Sequence, residues 1–80
     1  MSSENKQSGS IVRRNAGGTV RIQRVRHNGS FIITDNDLLF VIKEQRKSDV
    51  LIMIVVGNEI GTVDEAWLTH VTELIQGPEQ

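Results

Sequence analysis

The chain has no cysteine, no tyrosine and a single proline among its 80 residues. Without cysteine there is neither a disulfide to staple so small a domain nor a thiolate ligand for a structural metal. Aromatic residues are scarce as well. Phe31, Phe40 and Trp67 are the full set, too few for repeated base-stacking platforms, and all three fit core positions. The longest apolar run, Val50 to Val56, has seven residues, far short of the roughly 20 that a membrane-spanning helix needs. The first residues carry no apolar signal core, so a soluble, cytoplasmic protein with no membrane partner is expected. In that setting Asn28-Gly29-Ser30 reads as a turn rather than a glycosylation site.

Positive charge is missing from residues 48–80. All nine Lys and Arg lie in residues 1–47 against four acidic residues, a net of +5, whereas residues 48–80 hold six acidic residues and a net of −6. A basic half can supply the phosphate-facing surface of a nucleic-acid binder, and an acidic half suits a basic partner or a self-complementary contact.

What is present is a β-rich pattern. Residues 1–10 contain no large apolar side chain after Met1 and cannot repay the entropy of ordering. Ile11-Val12-Arg13-Arg14 has the makings of a marginal strand, but Asn15-Ala16-Gly17-Gly18 interrupts it. Residues 1–18 are therefore expected to be a flexible extension, 19–76 the single domain and 77–80 a tail. Thr19 to Arg26 leads into Asn28-Gly29, a strong hairpin signal, and Phe31-Ile32-Ile33 reads as the return strand. After the Asp35-Asn36-Asp37 turn, Leu38 to Ile42 and Val50 to Val56 read as two further strands, and Glu59-Ile60-Gly61 as a short fifth. Thr62 with Glu65 has the capping-box spacing, Gly77-Pro78 supplies a stop, and apolar residues recur at helical spacing between them. A helix over about 62–76 follows. The expected fold is mainly β, a five-stranded antiparallel sheet with one C-terminal helix.

The strand Val50 to Val56 is apolar on both faces, and one amphipathic helix covers one face only. A core of about sixty residues supplies roughly 3–5 kcal/mol. Both considerations favour a homodimer.

Arg21, Arg24 and Arg26 fall within six residues on the first strand. With Arg13, Arg14, Arg46 and Lys47 they form the candidate RNA-binding set, since each phosphate neutralised releases a counterion. The same residues also suit a solvated strand whose charges deter edge aggregation. His27 and His70 lie in no metal-binding or catalytic motif. Asp35-Asn36-Asp37 lacks the glycine bend and twelfth-position glutamate of a calcium loop. No serine has a base-and-orienter pattern and no glycine-rich phosphate loop precedes a helix, so no catalytic residue, cofactor or metal is assigned.

From Gly29 to about Leu68 the chain resembles the carbon storage regulator family of small dimeric RNA-binding translational repressors. Ile22-Gln23-Arg24 stands where that family has Leu-Thr-Arg, Gly29-Ser30-Phe31-Ile32-Ile33 resembles its second element, and Thr34-Asp35-Asn36-Asp37 its acidic turn. Leu38, Phe40 and Ile42, then Val50, Ile52 and Ile54, follow its two alternating strands. The resemblance implies an intertwined dimer of five-stranded chains. It also implies an RNA site shared between the first strand of one chain and the segment before the helix of the other. Arg24 matches the first contact. At the second, Asp64 or Glu65 replaces the family's arginine, and the glycine-asparagine turn expected at Lys47-Ser48 is missing.

Two functions remain in view. The leading one is a non-catalytic, homodimeric RNA-binding regulator in which Arg24 and Arg26 make the primary contacts and Arg21 supports them. The alternative is a protein-interaction module whose acidic helix face, Asp64, Glu65, Thr69 and Glu73, meets a basic partner protein.

Overall fold

A computed structural model of the chain describes residues 7–77. It contains seven strands and one helix: β1 Ile11–Arg14, β2 Thr19–Arg24, β3 Ser30–Thr34, β4 Leu39–Gln45, β5 Val50–Val56, β6 Glu59–Val63, α1 Glu65–Val71 and β7 Thr72–Gln76. All strands join one antiparallel sheet in the order β3-β2-β6-β5-β4-β1-β7. The mainly-β class with a C-terminal helix is as expected, but the sheet has seven strands rather than five.

The two extra strands come from segments read differently in the sequence. Residues 11–14, assigned to the flexible extension, form β1, and Val12 is fully buried. β1 lies between β4 and β7, with Val12 opposite Leu39 on one side and Leu74 on the other. Backbone bonds from Gly9 N to Val41 O and from Val41 N to Ser10 O carry this pairing further toward the N-terminus. Residues 1–6 and 78–80, the outer parts of the expected extension and tail, lie outside the described residues.

The helix is correspondingly shorter than 62–76. Thr62 belongs to β6, where its hydroxyl donates to the Ile52 carbonyl, so no capping box forms. Asp64 is the N-cap, its Oδ1 accepting from the Trp67 backbone N–H at 2.8 Å. At the other end the Thr72 hydroxyl donates to the Leu68 carbonyl. Asn15 donates to the carbonyls of His70 and Val71, meeting orphan acceptors of the helix end. The chain then continues as β7 along β1. Tertiary pairing overrides a helical spacing there, as a β-branched Val-Thr pair allows.

Residues Asp35 to Leu38 connect β3, at one edge, to β4, four places away in the sheet. Strands sit about 4.8 Å apart, so a flat sheet would separate these two by roughly 19 Å. Five peptide steps reach at most about 18 Å. The sheet therefore coils, and Asp35 and Asn36 line the same hollow as Arg13, Arg14 and Glu73. Inside the coil, Val12, Ile22, Ile33, Leu39, Val41, Ile52, Ile54 and Leu68 form one core, with Val20, Phe31, Val56, Val63 and Trp67 packed around it. Of the two faces of β5, Ile52 and Ile54 point into this core. Leu51, Met53 and Val55 form the other face and are half-buried.

Candidate nucleic-acid interface

β2 and β6 pair in register at only two positions, Gln23 with Thr62 and Arg24 with Gly61. The shortness has a local cause. At Asp64 the chain leaves the sheet to start α1, so Arg21, which pairs with Ile32 of β3, has no β6 residue on its other side. The strands part, and a cleft of about 470 Å³ opens between them, lined by Arg21, Gln23, Thr62, Asp64 and Trp67 above the aliphatic Ile22 and Val63. Arg21 and Gln23 are exposed there, Thr62 is half-buried, and Trp67 has one part against the core and another in the cleft. The place combines a cation, an amide, a hydroxyl and an indole. Where the ladder stops, backbone groups also become available to a ligand.

The rest of the expected arginine set is dispersed. Arg24 is held by Glu59 through two bonds, Nε to Oε1 at 2.8 Å and Nη2 to Oε2 at 3.0 Å, and its guanidinium stacks over Phe31 at 5.9 Å. The hydrogen bond to Glu59 raises the Arg24 pKa. The reciprocal bond lowers the Glu59 carboxyl below the usual glutamate value, against the opposing effect of burial and with further help from the charges of Arg24 and His27. Arg24 thus clamps β2 to β6 and is not a free contact. Arg26 is exposed in the β2–β3 loop, in a smaller hollow with His27 and Asn58. Arg13 pairs with Glu73 at 2.8 Å, and Arg14 donates to the Gly18 carbonyl. Arg46 and Lys47 are exposed in the β4–β5 turn.

The acidic set of the alternative does not form one helix face. Asp64 is engaged as the N-cap, Glu65 lies 3.7 Å from Lys43, and Glu73 is on β7 beside Arg13. Thr69 is exposed in the body of the helix, as are Ala66 and His70. Among the described residues no cluster of three or more His, Asp or Glu side chains could hold a metal ion.

Trp67 was not among the expected site residues. Its apolar spacing assigns it to the core, against which it packs. What brings its other side to the cleft is its place in the first turn of the helix, four residues after the end of β6. No family model matches the chain, and neither a curated protein nor a solved structure is similar to it.

Proposed function

We propose that this chain is a non-catalytic RNA-binding regulator that takes a single-stranded segment into the cleft between β2 and β6. The observation that carries the reading is the convergence of exposed Arg21 and Gln23 with half-buried Trp67 where the ladder opens. Arginine supplies phosphate or base contacts, the indole face stacks on an unpaired base, and the open strand ends offer backbone donors and acceptors. The two elements that build the cleft are those the carbon storage regulator resemblance implicates, the first long strand and the segment before the helix. Here they belong to one chain. Homodimerisation on such a scaffold remains part of the proposal, and the weight placed on Arg24 moves to Arg21 with Arg26 outside the cleft.

Trp67 is the only tryptophan, so its fluorescence reports on the site directly. Titration with a random single-stranded RNA pool at about 50 mM salt is expected to quench it, with weaker binding at about 200 mM. Arg21→Ala should raise the dissociation constant about 10-fold, the scale of one charge-assisted hydrogen bond. Absence of both quenching and RNA retention at the lower salt rejects the reading.

A further inference from the structure

We infer that the outer face of β1, β4, β5 and β6 is an interface on which a second copy of this chain packs back to back. In the coiled sheet one face of every strand is turned away from the core, and the register defines what stands there. Ile11, Phe40, Val55 and Ile60 align in one row across the four strands, and Ile42 and Met53 form part of the next. Phe40 is 43% exposed and Ile60 37% exposed, while Ile11, Ile42, Met53 and Val55 are half-buried. No charged side chain interrupts these positions. The helix leaves them uncovered, because its buried residue, Leu68, sits in the inner core.

Two arguments select a second copy as the occupant. A two-fold contact requires a patch to fit itself. About an axis running between β4 and β5, Ile11 lies over the partner's Ile60, Phe40 over the partner's Val55, and Ile42 over the partner's Met53, so each apolar side chain meets an apolar one. The other argument is area. The molecule is a slab of 38 × 35 × 22 Å, about two sheet layers thick, and its broad side can seat a second sheet. The apolar band is small, since only Phe40 and Ile60 of its six residues are more than a third exposed, which sets it at the weak end of specific interfaces. The dimer is therefore a dissociable one. This arrangement leaves the strand pairing of each chain intact, and its second row, Ile42 and Met53, continues to Thr62 at the margin of the cleft. It stands whether or not the cleft binds RNA.

Sedimentation equilibrium of the full chain, without RNA, tests it. The wild type should shift from 8.9 kDa toward twice that mass over about 10–500 µM. Phe40→Lys with Ile60→Lys, at positions already exposed, should raise the dissociation constant about 10-fold or more while leaving the circular dichroism unchanged. A wild type that stays monomeric throughout overturns the inference. So does a folded variant that dimerises as strongly as the wild type, the result expected if the copies exchange strands. Should the variant not fold, amide shifts of the wild type decide the matter: concentration-dependent changes confined to β1 and β4–β6 support the interface, and changes elsewhere or none at all overturn it.

Discussion

Gly61 is buried beneath β2, and a methyl group placed on it would collide with the Ile22 side chain and stand 3.0 Å from both the Gln23 carbonyl and a Phe31 ring carbon. Its value is close approach of β6 to β2. Gly61→Ala is expected to destabilise the fold by about 1–3 kcal/mol, the usual cost of overpacking, as measured by urea unfolding. Three positions on, Asp64 has the opposite character, since an acceptor is needed there. Losing its bond to the Trp67 N–H should cost about 1 kcal/mol in Asp64→Ala. Asp64→Arg loses the cap as well as a favourable charge at the helix N-terminus. Glu59 carries a pH dependence. Because its folded pKa lies below the unfolded one, its bond to Arg24 contributes stability that is full above the unfolded glutamate pKa and is lost as pH falls through the lowered folded value. An NMR titration of the Glu59 carboxyl should show a midpoint below the usual one, and Arg24→Ala should return it upward while lowering the melting temperature.

At the scale of elements, β1 connects sequence to stability most directly. Four residues pair with two strands and bury Val12 completely. Val12→Ala should therefore cost about 2 kcal/mol, transfer and cavity contributions together, in denaturant unfolding, whereas a residue in a loose extension would cost nothing. The strands β2 to β6 were legible, because runs of apolar and β-branched residues and the Asn28-Gly29 turn, whose glycine has a positive φ, are local signals. β1 was not legible, because its apolar content is Ile11-Val12 alone and its stability comes from partners some thirty and sixty residues away. β7 was misread for the same reason: Leu74 and Ile75 suit either a helix or a strand, and only β1 decides. The cleft was half legible. Arg21 stood out by charge, but Trp67 and the parting of β2 from β6 depend on where the chain turns at Asp64.

For the whole molecule, the division of charge along the chain does not become a division in space. Arg13 with Glu73, Arg24 with Glu59 and Lys43 with Glu65 each join the basic half of the sequence to the acidic half. Folding thus interleaves the two and consumes three cations. Arg21, Arg26, Arg46 and Lys47 keep no ion pair among the described residues. If these supply the phosphate contacts, three or four neutralised phosphates give a log–log slope of affinity against salt of about −2 to −3, at about 0.7 per phosphate for a single strand. That is shallower than the seven arginines and lysines of the candidate set would produce, roughly −5. Trp67 fluorescence titrations at several salt concentrations measure the slope. A value near −5 means that the Arg13 and Arg24 pairs open to the ligand, and Glu73→Gln and Glu59→Gln should then tighten binding. A value between −2 and −3 that Arg21→Ala makes shallower by about 0.7 places one of those phosphates at the cleft, with the ion pairs left to hold the sheet together.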